Sequence, residues 1–463
     1  MKRTARMLSW LLVLCLVVGL APVSALAADG EKAIQLGTTA IEDPEKVIIL
    51  NENNPEENTK TYYTPNSYIY FGNDNGAPIL WRVLDAQKAN DESTDGMFLL
   101  SEYLLGSNVQ FDKDGSANKD QTNPNTWQKS DAQAWCTTSY GNFFTAGEKQ
   151  GIVGVTKEET DASNRYQISW NPSALNGKQT GEDQNKDKLF FLSAQELYDY
   201  VGNYDGAPGL KAYTDSTETS AGVWWLRSPS ADNSHLSGVV GGDGVVDRSS
   251  VRRDWAARPA FNINLNSVLF TSAAEGGKIS AAPGGGSGGE AAGSISEIST
   301  TTTNEWKFTL KDGTRNSFTA SLSGSTTVML GEGISLSYSG AKTGSNEYVS
   351  AILTDASGNA LYYGRLVNTA SAESGTVSME LPTDLDVGSY TLKVFNEQYN
   401  GDKKTDYASD FVDIQLTVVP ASPVADLPQT GDDSHIALWL TLMGVSCAGM
   451  MAFAAYGKKR RME

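Results

Sequence analysis

The sequence has little of what most catalytic and metal sites are made from. Its 463 residues contain three cysteines and two histidines. A zinc site built from Cys and His would need four such ligands close together, and the three Cys and two His are scattered along the chain. Basic residues are also scarce: 36 Lys and Arg stand against 55 Asp and Glu, a formal net charge of −19. Apart from the two ends, no run of Lys or Arg offers a phosphate-tracking surface, so nucleic acid is excluded as a partner. Between the ends there is no apolar run long enough to span a bilayer, which excludes a multi-span membrane protein. The hydrophobic share is 40% and the charged share 20%, so the chain is not an acidic disordered tail either. The length leaves room for two or three domains with real cores.

The ends read as processing signals. Lys2, Arg3 and Arg6 precede an apolar run from Met7 to Leu20, and then come Pro22 and the small-residue pattern Ala25-Leu26-Ala27. That order predicts a secretory signal peptide over 1–27, cleaved after Ala27. At the far end stand Leu427-Pro428-Gln429-Thr430-Gly431, an uncharged stretch over 436–456, and the cations Lys458, Lys459, Arg460 and Arg461. The stretch is long enough for one helical span, and the cations would hold its end on the cytoplasmic side. Together, over 427–463, these parts resemble the cell-wall sorting signal of Gram-positive surface proteins. The resemblance implies that a sortase cysteine attacks the Thr430 carbonyl, releases the chain from Gly431 onward and passes the acyl group to a peptidoglycan cross-bridge amine. The expected destination is outside the cell, covalently on the wall, with the membrane spanned only before sorting.

Processing changes the chemistry available. The two signals remove seven of the 36 basic and three of the 55 acidic residues, moving the net charge to −23. Cys15, Cys447 and His435 leave with them. Cys136 and His235 remain alone, so an intramolecular disulfide is impossible and no metal site or other cofactor is expected. A Cys136–His235 nucleophilic pair is formally available, but a lone Cys reads first as a small buried hydrophobe.

Composition shifts once, at 281–294, where AAPGGGSGGEAAGS reads as a flexible linker. It predicts two domains, 33–272 and 295–420, the second a stalk near the wall. Period-two alternation predicts nine strands in the second: Glu305–Leu310, Ser317–Ser323, Thr326–Leu330, Ile334–Tyr338, Tyr348–Thr354, Leu361–Leu366, Gly375–Glu380, Ser389–Asn396 and Phe411–Val418. That is an all-β sandwich. Within it, Asp386-Val387-Gly388-Ser389-Tyr390 resembles the D-x-G-x-Y tyrosine corner of immunoglobulin-like domains, with Leu392 where a cysteine would stand.

The first region holds seven of the ten tryptophans. Ile79–Leu84 and Met97–Ser101 read as paired buried strands. SDAQAWCTTSYGNFF reads as a helix capped by Ser130 or Asp131, and SAQELYDYV as a second helix with a capping box at Ser193 and Glu196. Trp224-Trp225-Leu226-Arg227-Ser228-Pro229 reads as a strand, Gly241-Gly242-Asp243-Gly244 as a hairpin loop, and Arg258-Pro259-Ala260-Phe261-Asn262-Ile263-Asn264 as a further strand. Over 65–270 this set resembles an uncharacterised domain of secreted and wall-anchored proteins of Gram-positive gut bacteria. That domain is in turn similar to the C-type-lectin-like fold, which formylglycine-generating enzymes share. The resemblance implies an α+β lectin-like first domain. The calcium tripeptides of sugar-binding C-type lectins are missing, Trp170-Asn171-Pro172 being a poor substitute, and Cys136 alone cannot form a two-cysteine copper site.

In lectin-like folds the ligand loops lie where this chain has 228–257. Asn233, Asp243, Arg253 and Trp255 are therefore the candidate ligand contacts, since Trp stacks on the apolar face of a sugar while Asp, Asn and Arg satisfy its hydroxyls. Trp224 and Trp225 alternate across a strand, so at least one of them is expected to serve the core. The function expected is a non-enzymatic adhesin for a glycan or for a host or bacterial surface protein. The alternatives are a surface glycan hydrolase, for which no carboxylate pair or other catalytic residue stands out, and a structural wall or pilus subunit.

Overall fold

The computed structural model describes residues 30–49, 60–89, 95–114, 124–155, 187–230, 233–280, 291–370 and 372–421. The expected signal peptide, Leu427, Pro428, Gln429, Thr430 and Gly431 of the sorting signal, and Trp170 to Pro172 all lie outside these residues. The described chain is mostly β.

In the first half, β1 (Ile34–Leu36), β2 (Tyr68–Asp74), β3 (Ala77–Asp85), β4 (Gly96–Ser101) and β5 (Leu105–Val109) lead into three helices, α1 (Asp131–Phe143), α2 (Ala146–Gly151) and α3 (Ala194–Tyr200). β2 and β3 form a hairpin whose two loop residues, Asn75 and Gly76, have φ of 50° and 91°. Asn-Gly is the pair that tolerates two positive φ values in succession. β3 and β4 pair as expected, Arg82 opposite Leu100 and Val83 opposite Leu99. Their near-continuous apolar runs bury both faces, as a strand covered on two sides requires. Ser130 caps α1 by accepting from the Gln133 N–H, and the Ser193–Glu196 capping box of α3 is complete.

Next come β6 (Trp224–Pro229), β7 (Leu236–Val240), β8 (Val246–Ser250) and β9 (Trp255–Ala257), which with β5 form one sheet in the order β8-β7-β6-β9-β5. β10 (Pro259–Asn264) pairs with β4, and β11 (Val268–Ala273) pairs with β1.

The second half supplies β12 (Glu305–Lys311), β13 (Thr319–Ser323), β14 (Gly333–Ser339), β15 (Glu347–Thr354), β16 (Ala360–Asn368), β17 (Gly375–Glu380), β18 (Gly388–Gln398), β19 (Asp406–Ala408) and β20 (Val412–Val419). The nine expected strands are present, with Thr327–Met329 as the short third. β19 is an addition that alternation did not signal. β13, β14 and β17 make one sheet, and β16, β15, β18 and β20 belong to the other. Between them lies an apolar core that includes Leu336, Val349, Leu353, Leu366, Val377, Leu392 and Val394. The Tyr390 phenol donates to the Asp386 carbonyl at 2.9 Å, closing the turn that the pentapeptide predicted.

The expected separation into two domains at a flexible linker is corrected. β12, beyond the linker, pairs antiparallel with β11 and parallel with β2, so one sheet runs from the first half into the second. The side chains follow the backbone. Phe308 of β12 meets Phe71 of β2 at 6.1 Å between ring centroids, inside a cluster that also holds Trp81, Phe144 and Phe261. Phe270 of β11 likewise meets Phe395 and Phe411. Apolar strands with unpaired edges find their lowest free energy against each other, whatever the composition of the segment joining them. Residues 281–290 lie outside the described chain, but the linker's last residues do not swing free: Ala291–Gly293 pair in parallel with Val377–Met379. The described residues through Val418 form one compact unit.

Candidate functional site

The four residues expected to gather around a ligand do not all converge. Asn233 is exposed just before β7, its side chain accepting from the His235 N–H at 3.0 Å. Arg253 is exposed just after β8, with its backbone N–H on Ser250. Because Leu236 pairs with Ser250, these two positions share one end of the β7–β8 ladder. Asp243 sits at the other end, in the hairpin loop, where its carboxylate accepts from the Val245 N–H. At the usual strand rise of about 3.4 Å per residue, the five-residue ladder keeps the two ends roughly 14 Å apart. Trp255 is half-buried in β9, its indole N–H donating to Ser249 Oγ at 2.8 Å. The 228–257 excursion is therefore a sheet extension, and Asp243 serves its turn. Trp224 and Trp225 are both fully buried, where strand alternation required only one of them in the core, with indole N–H groups on the carbonyls of Leu210 and Val109.

Cys136 is fully buried on α1, and burial followed by the nearby charge of Asp187 pushes its thiol well above the ordinary range. A thiol so held stays protonated and is a poor nucleophile. Cys136→Ser should cost about 1 to 3 kcal/mol in urea denaturation, because a hydroxyl replaces a thiol in an apolar site, while leaving any binding unchanged. Loss of binding in a variant of normal stability would restore a functional role to the thiol.

A cleft of about 740 Å³ opens between the β2–β3 turn, the start of α2, the turn after β12 and the segment joining β18 to β19. Its architecture begins at Thr145. Thr145-Ala146-Gly147-Glu148 is a capping box: Thr145 Oγ1 accepts from the Glu148 N–H, and the Glu148 carboxylate accepts from the Thr145 N–H. This T-x-x-E signal was available in the sequence, directly after the stretch read as the preceding helix, but no capping box was read there. Glu148 is nearly inaccessible and does more than cap. It also accepts from the Gly72 N–H at 2.9 Å, Thr145 Oγ1 at 2.9 Å and Thr405 Oγ1 at 2.6 Å. One carboxylate thus joins β2, α2 and the segment before β19.

The Tyr407 hydroxyl bonds Thr145 Oγ1 at the cleft wall, and burial together with the Glu148 charge pushes its phenol far above the usual range. Tyr407 is therefore a neutral hydroxyl at any physiological pH. On the opposite side, burial would raise Asp312, but bonds from the Thr314 hydroxyl and N–H and from the Lys342 ammonium hold it down to about 2. Gln150, Gln398 and Lys404 also line the cleft, and none makes a side-chain hydrogen bond or ion pair among the described residues.

Asn73 belongs also to an adjoining hollow of about 470 Å³, walled by Trp135, Asn75, Asn142 and Phe143. Trp135 is half-buried and packs edge-on against Phe143. Gly106 approaches it so closely that a β-carbon there would stand 2.8 Å from the indole. The indole is thus held beside three amides, those of Asn73, Asn75 and Asn142. Among the described residues no group of three His, Cys, Asp or Glu side chains is placed to hold a metal.

Comparison with known proteins adds one match. No curated protein matches the chain. Residues 94–265 match the model of a family described as a domain of unknown function, DUF6273. The matched span runs from just before β4 to just past β10 and takes in α1, α2 and α3, so this part of the chain, with Trp135 and Glu148, is similar to that family.

Proposed function

We propose that the protein is a secreted, sortase-anchored surface protein that binds a glycan, without turning it over, in the paired hollows around Asn73. The observation that carries this reading is the pairing of a rigid half-buried indole, Trp135, with a polar cleft rich in amides and neutral hydroxyls. A sugar offers a weakly apolar C–H face and a rim of hydroxyls, which these groups match. Two adjoining hollows that share Asn73 suit an oligosaccharide better than a single residue. The reading keeps the lectin-like likeness over 65–270 and the immunoglobulin-like likeness over 295–420, the latter supported by the Tyr390 corner. Ligand contact moves to Trp135, Asn73, Asn142, Gln150 and Gln398.

Binding is favoured over hydrolysis by the two carboxylates that line the cleft. A glycosidase needs one carboxyl that keeps its proton near neutrality. Asp312 is held down to about 2, and Glu148 has its oxygens taken by N–H and O–H donors from three segments. Screening the protein, without its two processing signals, on a glycan array tests the reading, with Trp135→Ala expected to weaken the best binder by at least tenfold (about 1.4 kcal/mol or more). If Trp255→Ala abolishes binding and Trp135→Ala leaves it intact, the site belongs on the β7–β9 sheet. Release of reducing ends would favour the hydrolase instead.

Anchoring is tested separately. No helix among the described residues is long and apolar enough to cross a membrane, and the proposed span at 436–456 lies outside them. Thr430→Ala removes the hydroxyl-bearing residue at the proposed acyl-transfer position. The variant should collect in the membrane fraction, and its recovery from muramidase-released wall at normal levels would refute sortase anchoring.

A further inference from the structure

Four charged side chains from both halves of the chain meet in the interior. Lys278 follows β11, Lys307 lies on β12, Glu397 on β18 and Asp406 opens β19, and none is more than 1% exposed at its side chain. Lys278 Nζ is 2.7 Å from Asp406 Oδ2 and 2.8 Å from Glu397 Oε2, and it donates to Thr309 Oγ1 at 2.8 Å. Lys307 Nζ is 2.8 Å from the same Asp406 oxygen and donates to the Gly401 carbonyl at 2.6 Å. Glu397 Oε1 accepts from Ser350 Oγ at 2.7 Å and Tyr363 OH at 2.5 Å. Aromatic faces close the space: Phe270 lies 4.5 Å from Lys278 Nζ, and Tyr399 lies 4.8 Å from Lys307 Nζ.

Two features make this more than a buried ion network. Asp406 Oδ1 accepts from the Asn400 N–H at 2.7 Å, whereas Oδ2, though within ionic distance of two ammonium groups, has no hydrogen bond of proper geometry. The carboxyl is held by one oxygen and crowded by amines at the other. In addition, two cations and two anions away from water carry a large desolvation cost, which proton transfer within the neutral cluster would relieve by giving an amine and a carboxylic acid.

We propose that Lys278 and Asp406 condense to an intramolecular amide, with Glu397 as the proton carrier. The neutral Lys278 amine attacks Cγ of protonated Asp406. Charge develops on Oδ1, where the Asn400 N–H already points. Glu397 takes a proton from Nζ and delivers it to Oδ2. The Nζ–Cγ bond forms, the Cγ–Oδ2 bond breaks, and one water leaves. No oxidant or cofactor enters, and Lys307 and Glu397 stay behind as one cation and one anion. Lys278 is chosen over Lys307 because it is in contact with Glu397, while Lys307 makes no ion pair with Glu397 among the described residues. Contact at 2.7 Å in a site that excludes water makes the step effectively unimolecular and leaves little water to reverse it. The amide would clamp the segment after β11 to β19, across the two halves of the sheet.

Intact-mass measurement of the denatured, purified protein tests this without any variant. The wild-type chain should be lighter than its sequence by one water, about 18 Da. Trypsin should fail to cut after Lys278, and tandem mass spectrometry should find a branched peptide joining Lys278 to Asp406. Glu397→Gln and Asp406→Ala should each show the full mass. A wild-type chain of full mass with separate linear peptides would overturn the proposal, as would a branch that maps to Lys307.

Discussion

A polypeptide that ends at Ser280 should not reach the native fold. It would keep 94–265, the part that matches a known family, yet lose β12, which bonds both β2 and β11. Two strand edges would be left open and the Phe71–Trp81–Phe261 cluster would lose Phe308, while Phe270 would lose Phe395 and Phe411. Open apolar edges recruit other chains, so this fragment should bind a hydrophobic dye and aggregate on heating, with poor dispersion in its amide spectrum. The whole chain through Val418 should instead melt in a single cooperative transition that reports from both halves. Were the fragment to melt cooperatively as a monomer, at a temperature close to that of the whole chain, the shared sheet would be an accessory rather than the frame of the fold.

Arg315→Ala should be a strongly damaging substitution in the sandwich. The Arg315 guanidinium is 2% exposed and clamps Glu347 with two nitrogens, at 2.5 and 2.9 Å. It also donates to Asn396 Oδ1 at 2.8 Å and to Asp312 at 2.9 Å. Removing it leaves the Glu347 carboxylate buried without its partner, which costs about 3 to 5 kcal/mol, a large part of a typical domain's stability. Urea denaturation measures the loss. The double variant Arg315→Met, Glu347→Met should lose less than Arg315→Ala alone, because no orphaned charge remains; a larger loss would mean that the pair contributes chiefly by packing. Acid has a related effect through Asp312. Its carboxyl is held down to about 2 in the folded chain, so between the ordinary carboxylate range and about pH 2 the unfolded state binds the proton first. The stability that Asp312 contributes is therefore present above about pH 4 and lost as pH falls through about 2. Asp312→Asn should flatten that part of the acid limb.

Much of the local structure could be read directly from the residues, and the reasons are local. Ser130, and Ser193 with Glu196, start helices because a side-chain oxygen three residues from an N–H satisfies it whatever surrounds the turn. The sandwich strands declared themselves because one face of each meets a core and the other meets water, so Leu336, Val377 and Leu392 recur at period two. Asp386 to Tyr390 closes on itself over four residues, and that too needs no distant partner. The expectations for the chain's ends rest likewise on the order of short segments.

What the sequence alone could not decide was which distant segments meet. Alternation gives a strand its faces but says nothing about its edges, so the pairing of β12 with β2 and β11 was invisible, and a glycine-rich stretch between them read as a domain boundary. Asp243 and Arg253, ten positions apart, looked like neighbours in one loop. The β7–β8 ladder places them at opposite ends. The cleft around Glu148 and the cluster around Lys278 draw on residues more than 100 positions apart, Thr405 with Glu148 and Glu397 with Lys278. Local turns, caps and strand faces were legible in the residues themselves, because short-range sterics and hydrogen bonds set them. The shared sheet, the cleft and the buried charges were decided by the tertiary structure, because edge pairing and burial depend on which surfaces meet when the whole chain collapses.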